Sequence, residues 1–371
     1  VEIDSKGRVF SGTNNGGTRG MHYAQGGYAH KNWGKHGPLT NSYAFGYYEH
    51  MRHKGYQERF SQTFAIYEGG AFPAKYNGAV FAANSLHNRV MASQLFPDTS
   101  TYRTEDMPPI VLTQDRWFRP VDLKVGPDGS VYLADWYDSR LTHVDPRDNW
   151  HKTSGRIYRL KPTSYQPLKP FDLSKQTNEE LLETLGHSNK WFRQKAVQVI
   201  GERGDQSMIP ALLTIAKSEN DDRALEALWS LNQLGAFDEQ LALELLRHRD
   251  QHIRRWTIRL LGDRHQTSQA LTRAMVELAK TEPYAEVRSQ LASSAKRLPA
   301  ESGLAITNVL LQREEDLEDL HIPLLLWWAI ESKATSDREA VLSLFAKPDF
   351  WQVKMVQDVI LERIMQRYAM A

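Results

Sequence analysis

The chain has no cysteine among its 371 residues. Within these residues that excludes a structural disulfide, a thiolate nucleophile, a cysteine zinc site and a CxxCH haem attachment. Long apolar runs are missing too. The most apolar stretch, Ile322–Ile330, is far shorter than a bilayer span requires. Neither sign of charge dominates, with 46 basic against 45 acidic side chains, so no global pull toward nucleic acid or acidic lipid is expected. No signal-peptide pattern opens the chain. It begins at Val1 inside an expected strand, so further residues are expected to precede it.

What is present divides the chain in two. Of the 23 glycines 17 precede residue 165, as do eight of the 13 histidines. The remainder is rich in Leu, Ala, Glu, Arg and Gln, the strong helix formers. Lys161–Asp172, with three prolines and no periodicity, joins the halves. The reading is a β domain over 1–162, a linker over 163–172 and a helical repeat domain over 173–371. The expected fold is multidomain β + α: the C-terminal blades of a partial β-propeller followed by a HEAT-like α-solenoid.

The β half is organised around Asp115–Arg140. Val121–Val125 alternates apolar and polar, Gly126-Pro127-Asp128-Gly129 is a turn, and Ser130–Ala134 is the return strand. Aligned on glycine, Asp4-Ser5-Lys6-Gly7-Arg8-Val9-Phe10 repeats this turn and strand, and Tyr76-Asn77-Gly78-Ala79-Val80-Phe81 repeats it again. One hairpin recurring at irregular intervals points to propeller blades with insertions between them. Three such units do not close a ring, so earlier blades are expected upstream of Val1. Polar and aromatic clusters follow each strand: Asn14 and Asn15, then Leu86–Arg89 with His87 and Asn88, then Asp135–Arg140 with Trp136, Tyr137 and Asp138. Their convergence on one face is predicted.

Asn14–Tyr67 is a long insertion holding Arg19, His22, His30, His36, His50 and His53. Metal binding, a substrate-facing loop, and packing within a glycine-rich loop are all open readings of it. Arg156 and Arg159 lie in a final strand, as anion-binding forks or as edge charges that discourage aggregation.

The segments NNGGTRGMHYAQGGY, YEGGAFPAKYNGAVFAANSLHNRV and DRWFRPVDLKVGPDGSVYLADWYDSR resemble the bacterial, planctomycete-type family of membrane-bound dehydrogenase-domain or haem-binding proteins. The propeller of that family is similar to soluble quinoprotein glucose and sorbosone dehydrogenases. Members continue into HEAT-like helices and then a cytochrome c module, which this chain lacks. The resemblance implies a quinoprotein-type sugar or alcohol dehydrogenase fragment in a periplasmic or extracytoplasmic setting. It also implies pyrroloquinoline quinone with Ca²⁺ as cofactors. On this view His22 or His143 is the base. Arg119, Arg140, Arg156 and Tyr137 hold the quinone. Asn14, Asn15, Arg19, His87, Asn88 and Trp136 face the substrate, and Asp135 and Asp138 serve Ca²⁺. The helical repeats would dock a protein partner or a cytochrome-type electron acceptor. The alternative is a non-catalytic propeller and HEAT-repeat scaffold for protein or glycan binding. Glycan cleavage is a third reading, although no paired carboxylates of the required kind stand out.

From Thr177 onward apolar stripes have helical spacing. Setting Arg193, Arg223, Arg254 and Arg288 against one another gives intervals of 30, 31 and 34 residues, and 33 more reaches His321. This period predicts an α-solenoid of about five helical pairs, its repeated arginines forming a ladder with neighbouring carboxylates. Trp327, Trp328 and Trp351 are expected to cap the solenoid or meet a following domain. Glu314–Asp319 is expected to be a solvated inter-repeat loop or a helix start rather than a metal site.

Overall fold

The computed structural model describes residues 1–29, 41–58, 63–139, 151, 153–218 and 222–370. The first half contains three sheets. β1 (Glu2–Ile3), β2 (Val9–Ser11) and β3 (Met21–Tyr23) form an antiparallel meander. β5 (Phe64–Ile66), β6 (Val80–Asn84), β7 (Arg89–Asp98) and β8 (Thr101–Leu112) form a second, and β4 (Arg52–Lys54) joins its β8 edge in parallel. The third comprises β9 (Pro120–Val125), β10 (Val131–Asp135) and β11 (Arg156–Leu160).

Side-chain alternation along β6 explains how the sheets stack. Phe81 and Ala83 point into a core shared with Leu123, Val131 and Leu133 of the third sheet. Val80 and Ala82 point the other way, into a core shared with Phe10 of the first. β6, inside the middle sheet, is therefore buried on both faces by the neighbouring sheets, as period-2 geometry allows. Among the described residues the sheets close no ring or barrel.

The three recurring turns share one backbone feature. Gly7, Gly78 and Gly129 have φ of +70°, +76° and +71°. That left-handed conformation is open to glycine without steric cost. The glycine alignment made from sequence thus marks three equivalent positions, each just before a strand.

The second half is a two-layered helical array. One layer comprises α1 (Asn178–Thr184), α3 (Ile209–Lys217), α5 (Glu239–Leu245), α7 (Gln269–Thr281), α9 (Ala300–Leu310) and α11 (Arg338–Leu344). The other comprises α2 (Lys190–Arg203), α4 (Ala224–Gln233), α6 (Gln251–Asp263), α8 (Ala285–Ala295), α10 (Ile322–Glu331) and α12 (Leu361–Ala369). Side-chain caps start many of them: Thr177 with Glu180 forms a capping box, and Asn189, Asp238, Asp250 and Ser268 each accept from a first-turn amide. Six pairs are present among the described residues, one more than the period suggested, because several helices have only seven residues.

The arginine ladder is there. Arg193 pairs with Glu226, Arg254 grips Glu282 through both Nε and Nη2, and Arg288 grips Asp316 likewise. Arg223 departs from the series. It precedes the first residue of α4 rather than lying in its first turn, and it reaches the carbonyl of Leu182. In the acidic stretch Glu314, Glu315 and Glu318 are exposed and Glu314–Asp316 forms a helical turn, but Asp316 and Asp319 are buried. The even-numbered layer faces the sheets. Trp327 and Trp328 donate to the carbonyl of Ala44, so they meet the preceding domain rather than a following one. Trp351 stays partly exposed and bonds the carbonyl of Phe345.

Candidate functional site

The sheets are held by the solenoid at one end of their strands. Asn189, the cap of α2, donates from Nδ2 to the carbonyls of Gly126 and Pro127. Lys190 reaches Glu2, Glu68 and the carbonyl of Ile3. On α6, Trp256 Nε1 donates to the Lys6 carbonyl at 2.8 Å and Arg255 shares that acceptor. Ser100, in the β7–β8 turn, gives its amide and hydroxyl to Asp319, which also accepts from the amides of His321 and Ile322 at the start of α10.

Glu286 on α8 is the electrostatic centre of this seam. Arg8 donates to it from Nε at 2.7 Å and Nη2 at 3.0 Å, Tyr102 donates its hydroxyl at 3.2 Å, and Arg255 stands 3.4 Å away. Burial raises the carboxyl, but Arg255 and Arg8 outweigh it and hold Glu286 well below the usual carboxylate range. Burial lifts the Tyr102 hydroxyl far above its ordinary range, with Glu286 adding to the effect.

His22 belongs to the same seam. Its ring lies against Phe10, Tyr102 and His321, and Nδ1 is 3.3 Å from the Thr101 hydroxyl. At 5% exposure it packs between the halves instead of opening to a substrate. Burial, then His321, drives its pKa well below the ordinary histidine value. The other proposed base, His143, and the proposed quinone ligand Arg140 lie outside the described residues.

The remaining candidates gather at the opposite strand ends. In β9 and β10 the docked turn is Gly126–Gly129, whereas Pro120 and Asp135 pair at the far end. Asp135 Oδ1 accepts from the amides of Arg119 at 2.7 Å and Tyr137 at 2.9 Å. Arg156, opposite Asp135 in the ladder, lays its guanidinium 4.1 Å from the Tyr137 ring centroid. Tyr137 has φ of +49°, which is rare for a bulky side chain. Asn88, also left-handed at +53°, donates to the Phe118 carbonyl at 2.6 Å and so ties the second sheet's edge to the third's. His87 lies 3.5 Å from Glu58, which also pairs with Arg89. Asn15 accepts from the amide of Gly17, beside the Gln57 side chain, and Asn14 is exposed in the same loop. Among the described residues the post-strand clusters are linked pairwise along one edge, without the ring on whose face they were expected; Trp136 is half exposed and Trp117 lies against Tyr137.

One assignment changes on this geometry. Arg19 is fully buried and forks onto Asp106, at 3.1 Å and 2.6 Å, while donating to the Tyr56 carbonyl. It anchors the 56–58 segment rather than facing a substrate. Most groups proposed for a Ca²⁺–quinone pair are engaged elsewhere among the described residues. Asp135 commits Oδ1 to two amides, its buried Oδ2 has no hydrogen-bond partner among the described residues, and Asp138 is buried. Arg119 is buried and donates to its neighbour's carbonyl, and Arg156 is occupied by Tyr137. Among the described residues no cluster of three or more His, Asp or Glu side chains is arranged to hold a metal ion.

Sequence reasoning missed the seam. A signal existed in α10: IPLLLWWAIE is apolar on every side, as a helix buried on every side must be. In α8 the serines at 289, 293 and 294 are all buried, a second sign of close packing on both faces.

The class of protein these features define is a stack of antiparallel sheets clasped by a HEAT-like solenoid. Comparison with known families agrees for the helical repeats. Residues 1–164 match a domain of unknown function, DUF7133, and residues 178–246 match HEAT repeats. No curated protein matches the chain. Among solved structures, a crystallised engineered protein is 18% identical, with 51% of this chain and 97% of that chain covered and a TM-score of 0.31.

Proposed function

We propose that this chain is a non-catalytic binding scaffold in which propeller-type blades present a loop edge and the helical repeats form the supporting frame. One observation carries the reading: the β turns dock on the solenoid, while the aromatic and polar strand ends lie at the opposite side. Stacking of the middle sheet between two others, and the shared turn glycine, support the blade interpretation. A rigid scaffold that exposes loops is a common arrangement for recognition. Trp117, Trp136 and Tyr137, with Asn88 and His87 beside them, supply flat apolar faces next to hydrogen-bonding groups. A sugar is recognised by that combination.

The quinoprotein reading, with its extracytoplasmic setting, rests on the family resemblance, and the burial of His22 between the halves does not favour it. Two assays separate the alternatives. The chain is screened on a glycan array beside the W117A/W136A variant, with thermal melting as the folding control. Glycan capture that the variant loses supports the scaffold; no capture, or capture the variant keeps, counts against the loop edge. The chain is also mixed with pyrroloquinoline quinone, Ca²⁺ and a panel of sugars and alcohols. Substrate-dependent dye reduction would overturn the non-catalytic reading.

A further inference from the structure

A second surface lies on the odd-numbered layer, away from the sheets. Between α5 and α7 runs a groove of about 970 Å³. Leu243, Leu246, Ala274 and Leu278 give it an apolar floor, and Tyr284, 46% exposed, also lines it. It exists because α5 ends at Leu245 after seven residues, whereas α7 continues through thirteen.

The rim is cationic in a particular way. The acidic side chains on it are already matched: Glu282 is gripped by Arg254, and Glu277 is bonded to Lys280 at 2.9 Å. Arg247, Arg249 and Arg273 are exposed and have no side-chain partner among the described residues. Three unmatched guanidinium groups therefore surround an apolar trough. Guanidinium forks favour carboxylates, and an apolar trough on a helical array favours the apolar face of an amphipathic helix. Uniform polyanions would satisfy the rim but leave the floor wet.

We infer that this groove docks an acidic amphipathic helix of a partner protein. Its apolar side chains lie on the Leu243–Leu278 floor and its carboxylates on Arg247, Arg249 and Arg273. The inference extends the scaffold reading to a separate surface and does not depend on the loop edge.

The test is selection of a phage-displayed random peptide library, about 16 residues long or roughly four helical turns, on the full chain. The expected consensus has apolar residues at helical spacing flanked by Asp or Glu. A synthetic peptide of that consensus should bind the chain saturably and more weakly as salt rises. R247E/R273E should weaken it about tenfold or more, and A274W should do the same by filling the floor. K169E/K175E, an equal charge change at exposed positions in and just after the linker, should leave binding unaltered. Melting curves establish that each variant is folded. The inference is overturned by no enrichment, by a consensus lacking acids or helical spacing, or by binding indifferent to both groove variants. Equal loss with K169E/K175E would also overturn it, because the attraction would then be diffuse. Loss of glycan capture by the loop-edge variant has no bearing on these outcomes, so the two proposals fail separately.

Discussion

Asn189 and Gly126 are joined by a hydrogen bond of 3.0 Å that fastens the β half to the helical half. The same side chain accepts from the Trp191 amide through Oδ1, so one residue both starts α2 and holds the β9–β10 turn. Asp caps helices about as well as Asn. If Asn189 were only a cap, Asn189→Asp would be silent. We expect it to destabilise by about 1 kcal/mol or more, because the Gly126 and Pro127 carbonyls lose their donor. Asn189→Ala, which loses the cap as well, should cost about 2–3 kcal/mol. Denaturant unfolding of the two variants checks the order.

Gly7 is constrained twice. Its φ is +70°, and a Cβ there would fall 2.2 Å from Trp256 Cζ2. Gly7→Ala should destabilise by about 2 kcal/mol or more. Trp256→Ala in the same chain removes the clash but not the backbone cost. The double variant should therefore lose less than the sum of the two single losses, a coupling that a double-mutant cycle measures.

Arg254 and Glu282 form a buried rung of the ladder, with the Glu282 side chain fully covered. Arg254→Ala leaves a buried carboxylate without its partner and should cost about 3–5 kcal/mol. Arg254→Lys lacks the fork geometry and should recover only part of that. An exposed arginine such as Arg273 replaced by Ala should change stability by less than about 0.5 kcal/mol.

Acid should loosen the seam. His252 and His321 are held down to about 4, each chiefly by burial, with Arg8 adding to the effect at His252 and Asp319 opposing it at His321. Burial holds His22 down as well. These rings are neutral in the folded chain and take protons more readily when unfolded, so the unfolded state binds more protons as pH falls. Stability is full above about 6.5, the ordinary histidine value, and declines as pH falls toward about 4. Unfolding midpoints measured across that window should fall with pH, and the H22F/H321F variant should flatten the slope. A profile unchanged by that variant would remove these histidines from the account.

Much of the architecture was legible before any coordinates. The strand–turn–strand copies at Gly7, Gly78 and Gly129 align on glycine, since the left-handed backbone favours glycine at each. The pairing of Arg193 and Arg254 with carboxylates followed from repeat spacing, because each HEAT-like unit meets only its neighbour. The nearness of Arg119, Asp135 and Tyr137 follows because strand ends of one meander lie together, whereas Asn88 joins them from the second sheet through Phe118.

Whether a given side chain faces solvent or a second domain depends on contacts between residues far apart in the chain, and local pattern does not carry that information. His22 and Arg19 read as site residues because a polar side chain in a glycine-rich loop looks accessible. Only the solenoid closing over His22, and Asp106 lying beneath Arg19, made them interior. Asp316 and Asp319 likewise read as solvated charge until Arg288 and Ser100 were seen to meet them. By itself the sequence determined the two halves, the repeat and the turn chemistry, all consequences of local backbone preference and periodicity. The tertiary structure alone decided which surfaces remain open: the solenoid's inner face is covered by the chain's own sheets, leaving the loop edge and the α5–α7 groove exposed.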